Sequence, residues 1–201
     1  MSRYVYIKLV HVIGEDGLCQ FEALLALTNL ASTGLEVRSR ILQASGLKSI
    51  ESLLFSDTNL VRRAATELLC NMMYEERVFE RYVDPEHTQR LKLVVALADV
   101  EDFETRRAAS GILAILSCTK QGCKAMGVHD RFSQVLKEMV KDSNSEILHR
   151  GLECLKNLVK QCPSESRQML DEAVMRSVMA TCQRRDMLGE LAREIVMALK
   201  Q

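Results

Sequence analysis

The sequence predicts an all-α protein built from stacked helical repeats, and three observations support this. A similar segment occurs four times, as FEALLALTNL from Phe21, RAATELLCNM from Arg63, RAASGILAIL from Arg107 and HRGLECLKNL from His149. Successive copies are 42, 44 and 42 residues apart when they are aligned at Asn29, Asn71, Ile115 and Asn157. The composition, with 47% hydrophobic residues, two prolines and no tryptophan, suits long packed helices better than a sheet.

A period of this length is typical of armadillo and HEAT repeats, in which each group of helices stacks on the next. We therefore expect a right-handed superhelical solenoid with about four repeats and partial helices at its ends. The whole chain, 1–201, is predicted to be a single domain. Its repeats are expected at 18–59, 60–103, 104–145 and 146–188, after the end of a preceding repeat at 1–17 and before a terminal helix at 189–201.

Each copy carries three small or apolar residues at spacing i, i+4, i+7, which places them on one face of a helix. The first of the three is always Ala or Gly, which indicates that a neighbouring helix crosses closely there. The other two are expected to fill the core between repeats. The four sets are Ala23/Leu27/Leu30, Ala65/Leu69/Met72, Ala109/Leu113/Leu116 and Gly151/Leu155/Leu158.

The remainder of each period is interpreted as connecting helices, so that each repeat resembles three helices. In the first repeat, Glu36–Ala44 and Leu47–Phe55 carry apolar residues at helical spacing. The segment Tyr74–Thr88 departs from this regularity, and because Pro85 interrupts it we interpret it as a connecting loop. The apolar pattern restarts at Leu188–Leu199, which predicts the terminal helix.

Polar clusters precede three of the repeated helices. They are Ser56–Asn59 before the second, Glu101 and Asp102 before the third, and Asp142–Ser145 before the fourth. Side-chain oxygens at these positions can accept hydrogen bonds from the free amides of a first turn, and acids suit the positive end of the helix dipole. We interpret these residues as helix starts and not as catalytic acids.

Composition and motifs argue against several classes of protein. Basic and acidic residues both number 27, which disfavours a nucleic-acid surface of the usual basic kind. The apolar stretch near the N-terminus is interrupted by Arg3, Lys8 and His11 and is too short to span a bilayer, so no membrane is expected. No phosphate loop, HExxH or GxSxG motif is present, so no enzyme is expected.

The cysteines indicate a reducing compartment. Their number, seven, is odd and no CxxC pair occurs, so we expect buried free thiols in a cytoplasmic protein. Cys118 and Cys123 with His129 would be one ligand short of a zinc site and are irregularly spaced. Neither a metal nor any other cofactor is predicted.

Function is expected on the helix face opposite the apolar one, at positions that recur in each copy. Three of the four aligned positions are Asn, whose amide can donate to and accept from the backbone of an extended peptide. An alternative is that the charged residues form surface i, i+4 pairs and that each Asn bonds a backbone carbonyl at a helix end. The predicted protein-binding groove comprises Asn29, Arg63, Glu67, Asn71, Arg107, His149, Glu153 and Asn157.

Four segments of the chain resemble the UCS domain of myosin-directed chaperones, and the similarity runs from about Cys19 to near the C-terminus. They are FEALLALTNLAS from Phe21, RRAATELLCNM from Arg62, QRLKLVVAL from Gln89 and LHRGLECLKNLV from Leu148. The chain matches only the C-terminal half of that domain.

The resemblance implies an armadillo solenoid whose concave groove holds the myosin motor domain and assists its folding, protection and assembly. Full-length animal members of the family also carry a tetratricopeptide region that docks the ATP-dependent heat-shock chaperone, and this chain has no such region. In the armadillo fold the Asn of the last helix of a repeat can clamp a peptide, which implicates Asn29, Asn71 and Asn157. Ile115 interrupts that pattern in the third repeat.

A second interpretation is a general armadillo-type interaction scaffold or cargo adaptor. Nuclear import adaptors have a similar repeat length, but they combine Trp with Asn to hold basic signals. This chain has no Trp, and its neutral charge offers little attraction for a basic cargo.

Overall fold

The computed structural model describes residues 17–167 and 169–200. Every regular element in this part of the chain is an α-helix, in agreement with the predicted class. The thirteen helices described are α1 Gly17–Ser32, α2 Leu35–Gln43, α3 Gly46–Leu53, α4 Asn59–Met72, α5 Glu76–Val83, α6 Gln89–Leu97, α7 Phe103–Ser117, α8 Lys120–Gly127, α9 Phe132–Lys141, α10 Ser145–Gln161, α11 Pro163–Arg167, α12 Glu172–Thr181 and α13 Met187–Ala198.

The predicted three-helix repeat is present. The four repeated segments form the long helices α1, α4, α7 and α10, and two shorter helices follow each of them. The predicted end of a preceding repeat, 1–17, lies almost wholly outside the described residues. The interpretation of Tyr74–Thr88 as a loop is wrong, because α5 occupies most of it and buries Val78, Tyr82 and Val83.

A helix begins at each of the three polar clusters, as predicted, and two of the clusters supply side-chain caps. Asp102 Oδ2 accepts a hydrogen bond from the Thr105 amide at 3.0 Å at the start of α7. Asn144 Oδ1 accepts from the amides of Glu146 and Ile147 at 3.0 and 3.2 Å at the start of α10. By contrast, α4 begins after Thr58 without a side-chain cap.

The contacts divide the chain into two compact units. The first comprises residues 17–80 and 100–109, with α1 packed on both α4 and α2, and α3 packed on α2 and α4. Its core is apolar, because residues such as Leu27, Ile41, Ile50 and Leu68 are fully buried. The two long helices α1 and α4 pack against each other within this core.

The second unit comprises residues 81–99 and 110–200. Within it, α10 packs against α8, α9, α11 and α13, and α12 packs against α9 and α13. The predicted close crossing occurs at Gly151, where an added Cβ would lie 2.9 Å from both the carbonyl carbon and the Cβ of Met139. Gly is needed at this position because the backbone of α9 leaves no room for a Cβ.

The predicted apolar face is confirmed by burial. Eleven of the twelve residues on it are buried, and only Leu30 is half-exposed. No helix in the described part of the chain is long and apolar enough to cross a membrane.

Candidate functional site

The predicted groove residues of the first unit begin with Asn29, which is exposed on α1 together with Leu25. One turn of α1 before Asn29, Leu25 is 38% exposed, so an apolar side chain lies beside the amide. This pair offers both a hydrogen-bonding group and an apolar contact to a partner.

Asn71 joins two long helices. Its Nδ2 donates a hydrogen bond to the backbone carbonyl of Thr28, 3.1 Å away on α1, and the side chain is half-buried. This bond agrees with the structural alternative for the Asn residues, except that the carbonyl belongs to the helix of the preceding repeat. One amide donor of Asn71 is therefore committed to packing.

Arg63 is held by an acid outside its own helix. Its Nε lies 2.7 Å from both carboxylate oxygens of Asp102, and Nη2 also bonds that carboxylate. The Asp102 side chain is only 9% exposed and accepts the Thr105 hydroxyl at 2.7 Å as well. The Arg63 guanidinium and the Thr105 bonds hold the pKa of Asp102 well below its usual range.

Arg107, also in the first unit, pairs with two acids. Its Nη2 lies 3.0 Å from Glu67 Oε1 on α4, and its Nε lies 2.8 Å from Glu104 Oε2 within α7. The alternative of a local pair between Arg63 and Glu67 is not observed, because each pairs with a residue near the start of α7. The charged face of α4 is thus fixed by α7.

In the second unit, the predicted local pair is present on α10. His149 Nε2 lies 4.0 Å from Glu153 Oε1, and Glu153 also accepts from Lys156 Nζ at 2.7 Å. Asn157 Nδ2 donates to Ser117 Oγ on α7 at 3.0 Å. Asn157 therefore repeats the role of Asn71, with a side-chain hydroxyl in place of a backbone carbonyl.

A cavity of about 400 Å³ lies beside His149. It is lined by the first turn of α10, by Arg184 and Asp186 before α13, and by Met187, whose side chain is 63% exposed. An apolar, flexible side chain at the mouth of a partly polar cavity can adapt to different contacts.

Sequence reasoning missed the partners of these residues. Asp102 was identified only as a helix start, and Ser117, Lys156 and Glu194 were not identified at all. Glu194 Oε2 on α13 lies 3.9 Å from Lys156 Nζ and 3.7 Å from the Lys160 Nζ. The repeat length is the sequence signal that could have identified these partners, because Arg63 and Asp102 are 39 residues apart and Asn157 and Ser117 are 40 residues apart.

None of the seven cysteines, all of which the structure describes, forms a disulfide, and their burial varies. Burial raises the pKa of Cys123 and of Cys154 to about 12, so neither thiol ionises near neutral pH. Cys162 is also buried, whereas Cys118 is exposed, contrary to the expectation of buried thiols.

The described residues that come together as metal-ligand types are Asp84, Glu86 and His87, with ligand atoms within 4.8 Å of one another. These side chains lie at the surface, and His87 Nδ1 is 2.8 Å from Asp84 Oδ2. The set that contains Cys118, Cys123 and His129 forms no such group in the described part of the chain.

Comparison with known proteins identifies relatives over most of the chain. No protein-family model matches it. It is 36% identical over 155 residues to unc-45 homolog B of Danio rerio, covering 75% of this chain and 16% of that protein. It is 33% identical over 163 residues to the human homolog, and 38% over 148 residues to ring assembly protein 3 of Schizosaccharomyces pombe. The chain spans only 16% to 19% of the length of these relatives.

Comparison with solved structures agrees with the relationship found by sequence. UNC-45 from Drosophila melanogaster is similar with a TM-score of 0.87 and 28% identity, over 98% of this chain and 26% of that one. A designed armadillo repeat protein in complex with a (KR)4 peptide gives a TM-score of 0.78 over 96% of this chain and 80% of that one. At 18% identity, this second likeness shows the fold alone. The predicted helical-repeat fold and the resemblance found in the sequence are both confirmed.

Proposed function

Because the chain is homologous over most of its length to the UCS-domain myosin chaperones, we propose that it is a non-enzymatic client-binding module whose client is the myosin motor domain. The observation that carries the proposal is the similarity to the UNC-45 chaperone critical for binding and folding muscle myosin, with a TM-score of 0.85 over 97% of this chain and 22% of that one. The proposal concerns this segment alone. A cytoplasmic location is part of the proposal, and the absence of disulfides among the seven cysteines supports it.

The client-binding surface that we propose is the set of eight predicted groove residues, called here the long-helix face. In the first unit, its charged members are fixed by ion pairs yet remain partly exposed, at 35% for Arg63, 31% for Glu67 and 28% for Arg107. Side chains held in this way lose little further entropy when a client binds. Asn29 and Leu25 supply an exposed amide and an apolar contact beside them.

In the second unit, the members of the long-helix face are His149, Glu153 and Asn157 on α10. The cavity beside His149 and the exposed Met187 add a site for an apolar group. A partly folded motor domain exposes both apolar side chains and unpaired backbone groups. Mixed polar and apolar contacts of this kind suit such a client.

The action proposed is passive binding. A chaperone that binds exposed segments lowers their free concentration, which slows aggregation by mass action and needs no nucleotide. Release follows when the client segment folds and is no longer available. Any energy-driven step would come from a partner. One such partner is the ATP-dependent heat-shock chaperone that docks on the tetratricopeptide region of full-length family members.

The test is light scattering of a purified myosin motor domain during mild heating, with and without this chain. A designed armadillo repeat protein is the matched control for fold, and an unrelated heat-labile protein is the control for client. Suppression for myosin only, and by this chain only, supports the proposal. Equal suppression of both clients would indicate a general holding activity. No suppression together with no capture of the motor domain in a pull-down would overturn the proposal and favour a scaffold for another partner.

A further inference from the structure

The second unit carries two neighbouring cavities that none of the eight residues of the long-helix face lines. The first, about 320 Å³, lies between the turn that follows α5 and helix α8. Its walls are mainly apolar and include Tyr82, Val83, Leu91 and Val128. A cavity of this size and lining is typical of a site that takes one large apolar group.

The second cavity, about 570 Å³, adjoins the first. The two share Thr88, Leu91, Ala125 and Val128, so they form one groove along α6 and α8, called here the α6–α8 groove. Val128 belongs to both parts and its side chain is 75% exposed. An exposed apolar residue that lines both cavities offers a contact for an apolar group of a partner.

The half-buried imidazole of His129 lies in the second cavity, and its ring nitrogens lack hydrogen-bond partners among the described residues. Both ring nitrogens of His129 are shielded from solvent, and neither has a partner among the described residues. Burial lowers the pKa of His129, so the ring is neutral, with one donor and one acceptor. Leaving both unpaired is costly, and the successive backbone N–H and C=O groups of a bound peptide supply both a donor and an acceptor.

The charges along the groove leave two lysines available. Lys124 lines the first cavity and Lys92 the second; both are exposed, and neither has an ion pair in the described part of the chain. Arg131 is paired with Asp99, and Asp84 with His87. Asp130 is the remaining acid of the lining. An acidic ligand is therefore favoured over a basic one.

We propose that the α6–α8 groove docks a short segment of a partner protein in which one large apolar side chain is flanked by acidic residues. The apolar side chain occupies the cavity lined by Leu91 and Val128. The acidic residues pair with Lys92 and Lys124, and the backbone of the segment passes His129. The inference is independent of the proposed function, because the groove uses no residue of the long-helix face.

The test is fluorescence anisotropy of the whole chain with three labelled peptides of equal length. One has Phe flanked by Glu, one has Phe flanked by Lys, and one has Ala flanked by Glu, all with Gly and Ser elsewhere. We expect saturable binding of the first, and binding of the other two weaker by about tenfold or more. No saturable binding of the first peptide, or equal binding of all three, would overturn the inference.

Matched variants locate the site. Val128→Glu should weaken binding of the first peptide by about tenfold or more, whereas Met179→Glu, an equivalent change at a half-exposed residue on α12, should leave it unchanged. Lys92→Glu should weaken binding, and Lys48→Glu, at an exposed lysine on α3, should not. Equal effects within either pair would contradict the assignment. Suppression of myosin aggregation should persist in Val128→Glu, which separates this groove from the long-helix face.

Discussion

Replacing Asp102 by Ala should destabilise the protein more than any other single change at a helix start. Asp102 caps α7 through the Thr105 amide and also holds Arg63 on α4. Because these roles meet in one carboxylate, its loss frays a helix and leaves a guanidinium without its partner. The expected effect has two parts, one for the cap and one for the ion pair.

The cap is worth about 1 kcal/mol, and the pair with a partly exposed arginine contributes up to about 1 kcal/mol more. The Asp102 side chain is 9% exposed, which places the sum toward its upper end, at about 2 kcal/mol. For a chain of this length, that loss lowers the melting temperature by roughly 4 to 8 °C.

The measurement is thermal unfolding followed by circular dichroism, with Asp57→Ala as the matched control. Asp57 lies in the equivalent cluster before α4, but it is exposed and that helix start has no side-chain cap. Asp57→Ala should therefore change stability by no more than about 0.5 kcal/mol. A melting temperature for Asp102→Ala within about 1 °C of the parent, or an equal drop for Asp57→Ala, would refute the reasoning.

The same carboxylate predicts a pH dependence. Its pKa in the folded protein lies below the ordinary value of 3.8, so its contribution is fully present above that value and is lost as the pH falls below it. Urea unfolding of the parent and of Asp102→Asn should differ by a constant free energy between about pH 5 and pH 7. The difference should shrink below about pH 4. A difference that grows in acid would contradict the assigned sign.

Three further predictions concern other positions. Asn29→Tyr should weaken binding to the myosin motor domain without changing the melting temperature, whereas Asn71→Tyr should lower both, because Asn71 bonds α1. Gly151→Ala should cost about 1 to 3 kcal/mol in urea unfolding, because its Cβ meets the α9 backbone. Alkylation followed by peptide mapping should modify Cys118 early and Cys154 last, because burial raises the pKa of Cys154 to about 12.

Each of these has a control within the chain. Gly17→Ala meets nothing within 4 Å and should be nearly neutral, so an equal loss at Gly17 and Gly151 would contradict the close-crossing explanation. An Asn71→Tyr variant as stable as Asn29→Tyr would show that the bond to Thr28 contributes little. Modification of Cys154 before Cys118 would indicate that α10 opens readily.

The periodic parts of the fold were predictable because they depend on local spacing. Burial of residues at i, i+4, i+7 follows from helix geometry, and the repeat length follows from the spacing of the four copies. The loop predicted at Tyr74–Thr88 rests on Pro85 alone, whereas Val78, Tyr82 and Val83 have the spacing of one helix face, and these residues form α5. Proline ended the helix and did not prevent it.

The partners of the charged residues were not predictable in the same way. The nearest candidate for Arg63 along the chain was Glu67, one helical turn away, yet the observed partner is Asp102. A sequence shows which charges share a helix face, but not which face a neighbouring helix presents to them. The partners that charged residues find on neighbouring helices are therefore known only from the structure.

Within each unit, several polar bonds between helices connect residues about one repeat apart. Asn71 to Thr28 spans 43 residues, Arg107 to Glu67 spans 40, and Asn157 to Ser117 spans 40. The recurrence of these polar residues in the sequence is therefore explained in large part by stacking, since each repeat must bond its neighbour.

A residue that recurs for stacking can still contact a client through the fraction of it that remains exposed. Loss of client binding in a variant at Asn71, Arg107 or Asn157 would then have two causes, a lost contact and a loosened repeat. Asn29 separates them, because it is exposed and its side chain contributes none of these inter-helix bonds. If the long-helix face binds a client, substitution at Asn29 is where the binding energy can be measured apart from the energy of folding.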